Sequence, residues 1–374
     1  MSQPVKVLVI SDYRMEISSR PEAEAMIGLQ KAGCDLTIMT YDEGFYPQKF
    51  RDAGIRVIPF HPEKKMNKKE IKFIREELIR GDYDILQLFN GKAIINGLAA
   101  AKNLSVKVVL YRGFAGHVHW YDPAAYFKFL HPRVDKIICI TNSIKQSIDK
   151  NLFFNKSKTV KIIKGHSADW YKNVEPVNKK DHGIPTDAFV ITMVANVRPF
   201  KGVPYLIKSS YHLPPDLPIH FVLIGRGMDD PGFRKMIEKS EYRKNFHIPG
   251  FVNDPLPWIA ASNVLVLPST KGEGINKTVV EAMNLAVPAI VTNIDNNEDL
   301  FVENAKELVV PVKDEQAITN AILNLYHNPQ HRDELGKRSK EHINRHLNIV
   351  ETIAGIKKLY EDLAKEKRIG KSVN

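Results

Sequence analysis

Short runs of aliphatic and β-branched residues alternate with helix-patterned stretches along almost the whole chain, and this alternation restricts the fold to parallel α/β sheets covered by helices. Strand-like runs occupy 5–10, 36–39, 56–59, 85–89, 107–111, 136–140 and 160–163, with helical stretches such as 22–31, 93–102 and 144–150 between them. A polar segment, 172–187, interrupts the pattern with Pro176, Lys179, Lys180, Gly183 and Pro185, and reads as a linker. The alternation then resumes at 189–195, 220–224, 246–248, 264–267, 289–291 and 308–310, followed by helical stretches at 315–326 and 331–365. At 374 residues the chain exceeds what one core usually covers. The reading is therefore two Rossmann-like, doubly wound domains, 1–171 and 188–345, with a terminal helix over 346–374. Ligands of such sheets gather at the carboxyl ends of the strands.

Composition narrows the class. No apolar run is long enough to span a membrane. The start, Met1-Ser2-Gln3-Pro4, lacks the layout of a signal peptide. Cys34 and Cys139 lie in apolar strand-like runs and read as buried thiols, which points to a reduced, cytoplasmic setting. The net charge of +11 suits nucleic acid, a phosphate-rich ligand or an anionic membrane surface, and charge alone does not choose among them. Part of it is concentrated in Lys64, Lys65, Lys68, Lys69, Lys72, Arg75 and Arg80, on a stretch that reads as an amphipathic helix. Such a helix either turns a solvated face outward or lies on the inner face of a membrane as a peripheral anchor.

The most informative passage runs from Ser269 to Met283. It follows the strand 264–267, holds Gly272, Glu273 and Gly274, and then becomes a helix containing Glu281. Glycines let the backbone approach a ligand, and the N–H groups at the helix start suit a diphosphate. A glutamate further along the helix can accept two hydroxyl hydrogen bonds, as a ribose diol offers. Two glutamates at this spacing are weak evidence by themselves. In context, the passage and its continuation Glu281-Ala282-Met283-Asn284-Leu285-Ala286-Val287-Pro288 resemble the donor-binding motif of retaining glycosyltransferases of family 4, which have the GT-B fold. The resemblance implies that Glu273 contacts hydroxyls of the transferred sugar and that Glu281 binds the ribose. The family often has Gly-Phe-Gly after its first glutamate, whereas this chain has Gly274-Ile275-Asn276, so its sugar preference is expected to differ.

A second segment, Val194 to Gly202, resembles the one whose arginine and lysine neutralise the donor diphosphate. Lys201 fits the lysine position. Asn196 stands at the usual arginine position, and Arg198 is the residue available to replace that arginine. A cation at a leaving diphosphate stabilises charge that grows in the transition state, so the resemblance implies catalysis without a metal or other cofactor. Weaker matches are Gly225 in a strand-end turn and Phe251-Val252 in the loop that holds the nucleotide base. In the first domain the likeness thins. Arg112-Gly113 stands where a His-Gly is common, and Arg112 can touch a phosphate or an acidic sugar, or anchor the loop. His117 and His119 lack a third metal ligand and read as loop histidines, with His117 kept as a cleft or acceptor residue.

The resemblance implies an acceptor-binding first domain, a nucleotide-sugar-binding second domain and a final helix that crosses back to the first, the two sheets facing a central cleft. Asp82-Tyr83-Asp84 mimics a metal motif but precedes the strand 85–89, at the wrong end for a ligand, and reads as structural. The expected activity is transfer of a hexose-type sugar from a UDP- or GDP-sugar to a glycan or lipid-linked hydroxyl acceptor, in synthesis of cell-surface polysaccharide, lipopolysaccharide or glycolipid. Rival readings are a nucleotide-sugar epimerase of the same fold, a non-catalytic sugar-nucleotide-binding protein, and a nucleic-acid binder. The last rests on net charge alone, and no nucleic-acid partner is expected.

Overall fold

The computed structural model describes residues 3–372 except 115, 117, 153–155, 272–273, 295–296, 298–299 and 301–304. The chain forms two compact units, residues 1–165 with 347–374, and residues 166–346.

In the first unit, β1 (Lys6–Ile10), β2 (Asp35–Thr40), β3 (Arg56–Pro59), β4 (Ile85–Leu88), β5 (Lys107–Arg112), β6 (Lys136–Cys139) and β7 (Thr159–Lys161) make one sheet in the order β3-β2-β1-β4-β5-β6-β7. Every pairing is parallel. Strands buried on both faces read as continuous apolar runs, which is why they were legible. Helix Glu16–Lys31 packs against the final helix Ile349–Ser372, whose Tyr360, Leu363 and Ala364 enter the same core as Val7, Leu29 and Ile38. The far end of that helix is pinned by charge. Lys367 Nζ donates to the Tyr83 carbonyl at 2.7 Å and lies 3.3 Å from the carboxylates of Asp82 and Asp84, while Arg368 reaches Asp84 at 3.0 Å. Asp82-Tyr83-Asp84 thus fastens the final helix at the amino end of β4.

The expected helix 331–365 is instead two helices, Pro329–His346 and Ile349–Ser372. Asn348 separates them: its Oδ1 accepts the Val350 N–H at 2.8 Å, a side-chain cap that starts a new helix. Both cysteines are buried and unlinked, and burial pushes the Cys34 thiol up to about 11 and the Cys139 thiol up to about 12.

In the second unit, β8 (Phe189–Val194), β9 (Ile219–Ile224), β10 (Phe246–Gly250), β11 (Val264–Leu267), β12 (Ala289–Thr292) and β13 (Val309–Val310) form a parallel sheet in the order β10-β9-β8-β11-β12-β13. Residues 172–187, expected as a linker, are packed into this unit. Ile184 joins the core with Val190 and Trp258, and the Val177 N–H donates to the Pro257 carbonyl at 3.1 Å. The polar composition of this stretch reflects a path over the surface rather than freedom from it. Residues 166–171 also belong here, so the boundary falls before 166 rather than after 171.

The two sheets share one strand order, all pairs parallel, and the order reverses its progression between the first and fourth strands of each. Crevices for ligands open at such switch points, at the strands' carboxyl ends. Most of the basic stretch 64–80 lies on the helix Lys68–Gly81, which buries Ile74 and Leu78; Lys68 and Lys69 on it and Lys64 and Lys65 before it are exposed. No helix among the described residues is long and apolar enough to cross a membrane.

Candidate functional site

In the second unit, four loops leave the carboxyl ends of β8, β9, β10 and β11 and touch one another. The Val197 N–H donates to the Arg226 carbonyl at 2.9 Å, and Asn196 Oδ1 accepts the Arg226 N–H at 3.0 Å. Asn196, at the position where an arginine was expected, therefore ties the β8 and β9 loops together. The Gly225 N–H donates to the Gly250 carbonyl at 2.8 Å, and the Thr270 N–H to the Phe200 carbonyl at 2.8 Å. Two glycines make this closeness possible. Gly202 has φ +75° and a Cβ there would stand 1.8 Å from the Pro268 oxygen, while at Gly225 (φ +136°) it would stand 2.0 Å from the Ala195 oxygen.

This frame carries the basic residues. Arg198 is exposed and precedes the short helical turn Pro199–Lys201, and the Lys201 N–H donates to the Arg198 carbonyl at 2.9 Å. Lys201 Nζ stands 5.7 Å from the Phe200 ring. Across the rim, the Arg226 guanidinium lies 4.5 Å from the ring of Phe251, which is 43% exposed beside the half-buried Val252. An exposed aromatic ring backed by a cation makes a flat surface on which a base can stack.

After β11, Gly274 and Ile275 lead into the helix Lys277–Asn284, with Asn276 as its cap. Asn276 Oδ1 accepts from the Thr278 N–H at 3.2 Å and from the Thr278 hydroxyl at 2.9 Å. Asparagine at the third position of the family motif is thus a helix cap, which explains a residue the sequence marked only as a departure. Glu281 is 2% exposed and forms an ion pair with Lys277 one turn earlier. A nearly buried carboxylate, an ammonium and a helix amino end lie together, able to meet hydroxyls and an anion respectively. Glu273 and Gly272 lie outside the described residues.

Sequence reasoning missed Lys277 and Arg226. An i,i+4 Lys–Glu pair reads as a solvated helix face, and only burial distinguishes it.

In the first unit, Arg112 ends β5 and is 5% exposed. Its guanidinium donates to the Gly116 carbonyl and lies between the rings of Phe114 at 3.6 Å and Phe129 at 4.7 Å. Anchoring of its own loop is therefore one of its roles. Burial lowers its pKa to about 10. Gly113 lines the same cavity as Arg112, and His117 lies outside the described residues.

Residues 174–342 match the family model described as glycosyl transferases group 1, and residues 23–165 match that of glycosyltransferase family 4. The chain is 28% identical over 304 residues to an Escherichia coli UDP-Gal:alpha-D-GlcNAc-diphosphoundecaprenol alpha-1,3-galactosyltransferase, covering 76% of this chain and 77% of the relative. Its fold is similar to that of a crystal structure of a glycosyltransferase from Rickettsia africae, with a TM-score of 0.80, 14% identity and coverage of 97% and 100% of the two chains. Anabaena HepE, solved in complex with UDP, matches at a TM-score of 0.75 with 15% identity, covering 96% and 100%.

Proposed function

The chain belongs to the family 4 glycosyltransferases of the GT-B fold, and from that membership we propose that it is a retaining enzyme moving a hexose-type sugar from a UDP-sugar to a hydroxyl acceptor. The observation that carries the proposal is the nearly buried Glu281 paired with Lys277 beside the Asn276-capped helix start, on the same rim as Lys201. On this reading Glu281 accepts the ribose hydroxyls, and Phe251 with Val252 and Arg226 seats the base. The strand-end turn at Gly225 keeps the rim tight. Gly274, Ile275 and the first turn of the helix face the diphosphate. Glu273 holds hydroxyls of the transferred sugar.

Lys201 and Arg198 then act on the leaving diphosphate. Negative charge collects there as the glycosidic bond breaks, and fixed cations that meet it lower the barrier without a metal. The departing phosphate accepts the proton of the attacking hydroxyl, so no protein nucleophile is required. UDP is preferred to GDP because the relative from Escherichia coli uses UDP-Gal and Anabaena HepE was solved with UDP. The acceptor is assigned to cell-surface glycan or glycolipid synthesis, on the same relative's lipid-diphosphate acceptor. A cytoplasmic enzyme peripheral to the inner membrane face fits that role.

The test is a panel of UDP- and GDP-sugars offered with lipid-linked acceptors, reading nucleotide release and the anomeric configuration of the product by NMR. Release of UDP with the donor's configuration retained is the expected result. An inverted product overturns the retaining mechanism, and tight donor binding without any turnover favours a sugar-nucleotide-binding protein instead.

A further inference from the structure

The crossovers on either side of β5 and β6 carry the helices Gly91–Ala100 and Asn142–Asp149. The connection between β5 and β6 instead holds one short helical turn, Pro123–Tyr126, and turns a run of rings outward. Trp120 is 53% exposed, Tyr121 66%, Tyr126 40% and Phe127 56%. A large apolar side chain exposed singly is ordinary, but several together mark a binding surface. None of residues 119–127 lines the cavity shared by Arg112 and Gly113, so this surface is separate from that crevice.

The rings are held in place. The Trp120 N–H donates to Asn151 Oδ1 at 3.0 Å, beyond the end of helix Asn142–Asp149, and the Tyr126 hydroxyl donates to the Trp120 carbonyl at 2.9 Å. His119 stacks on one face of Tyr121, with centroids 5.0 Å apart and planes 7° apart, and the exposure of Tyr121 leaves its outer face open. Trp120 stands at 83° to Tyr121 with centroids 5.8 Å apart. The result is a fixed aromatic corner, which loses little freedom when it binds.

Charge and area select the ligand. Residues 113–127 contain no lysine or arginine, and Asp122 is their one acid, so an anionic bilayer is repelled rather than drawn. The four rings expose about 400 Å² together, half of what each side of a stable protein interface buries. A hexose ring fits both limits. It is neutral and small, its C–H face packs on an aromatic face, and its hydroxyls keep their hydrogen bonds at the edge. Asp122 follows the two rings directly and adds a carboxylate that accepts from hydroxyls.

We propose that Trp120 and Tyr121, backed by His119, form a non-catalytic site for a neutral glycan, seating one hexose ring outside the crevice of the first unit. The inference rests on the transferase reading for the presence of a glycan, while the corner stands on its own geometry.

The full chain is labelled with fluorotryptophan, and its three tryptophans, Trp120, Trp170 and Trp258, give separate fluorine NMR signals, with Trp120→Phe identifying the first. It is titrated with maltotriose, with cellotriose, with phosphatidylcholine vesicles and, separately, with UDP. Stacking reads the C–H face rather than one linkage, so at least one trisaccharide should move the Trp120 signal saturably and leave the other two in place. By calorimetry, Trp120→Ala and Tyr121→Ala should each weaken that trisaccharide about tenfold, the worth of an aromatic contact and its buried area. Tyr121→Phe keeps the ring and should keep most of the affinity. Both side chains are largely exposed, so these variants fold, and UDP affinity should not change in any of them.

A Trp120 signal that neither trisaccharide moves overturns the proposal, as does an affinity unchanged in both alanine variants. A signal moved by the vesicles and by neither sugar makes the corner a lipid anchor, and one that depends only on protein concentration makes it a contact between two copies. Wild-type protein that binds the trisaccharide but not UDP would break the transferase reading and leave the corner intact. UDP binding without the trisaccharide would do the reverse.

Discussion

Lys277 and Glu281 form an ion pair one turn apart on the helix after β11, with the carboxylate nearly buried and the ammonium partly exposed. The lysine holds one oxygen of the carboxylate, and on the proposed reading this orients it for the ribose diol. Replacing Glu281 by glutamine keeps the shape and removes the charge. Donor affinity should fall by about 1.5–3 kcal/mol, the worth of hydrogen bonds to a charged group. Calorimetric titration with UDP checks this, and unchanged affinity removes Glu281 from the ribose role.

On the proposed reading Lys201 meets the charge that grows on the leaving diphosphate. Lys201→Ala should therefore lower kcat by about 100-fold or more while the donor Kd changes much less. Wild-type turnover should survive EDTA. Loss of activity with the chelator, or full turnover in Lys201→Ala, would mean that a metal stabilises the leaving group.

Much of this architecture was legible because parallel strands covered on both faces leave uninterrupted apolar runs, as Val264–Leu267 does. The motif around Glu281 was legible for a different reason, since a glycine loop, a helix start and a glutamate fall in fixed order. What escaped depends on contacts distant in sequence. Arg226 matters because its guanidinium backs the Phe251 ring from a different loop, and no pattern near residue 226 announces that. The break at Asn348 escaped because apolar spacing continues on both sides of it. Residues 172–187 looked independent because their anchors, Ile184 and Val177, are single apolar residues in a polar stretch.

Lys367, Asp82 and Asp84 are structural partners, so their loss should reduce stability without touching chemistry. Lys367 is almost wholly buried, and its removal leaves Asp84 with Arg368 and the Lys6 N–H. Breaking one side of a buried charge cluster costs about 3–5 kcal/mol. Lys367→Met should lower the thermal midpoint by several degrees, with kcat unchanged below the transition. An unshifted midpoint would show that the final helix is held by its apolar face alone.

His220 and His247 stack on neighbouring strands with their ring nitrogens 2.9 Å apart. Burial and the neighbouring His220 and His182 lower the His247 pKa to about 4, and burial also lowers that of His220. In the unfolded chain both titrate near the ordinary histidine value of about 6.5. Below that pH the unfolded state binds more protons than the folded one, so stability falls as pH drops from about 6.5 toward about 4 and is flat above. His247→Gln should reduce this slope. Urea midpoints measured across the interval decide it, and a slope unchanged in the variant assigns the acid sensitivity to other groups.

The basic helix Lys68–Gly81 is anchored by Ile74 and Leu78, and not all of its cations are available to a partner. Arg75 donates to the carbonyls of Ala100 and Lys102 at 2.9 and 2.7 Å, Arg80 pairs with Glu77, and Lys72 pairs with Glu76. Lys64, Lys65, Lys68 and Lys69 remain exposed around its start, and Phe73 and Ile79 keep apolar surface on its solvent side. Each cation near an anionic bilayer contributes about 1 kcal/mol, so four suffice for reversible attachment. Sedimentation with vesicles should show binding that requires anionic lipid, fades as salt rises and is lost when Lys64, Lys65, Lys68 and Lys69 become glutamate. Replacing Arg75 should instead lower stability, because its bonds are to the protein. Equal recovery in the supernatant with neutral and anionic vesicles at low salt would rule out a membrane role for this helix and leave its charge as a solvated face.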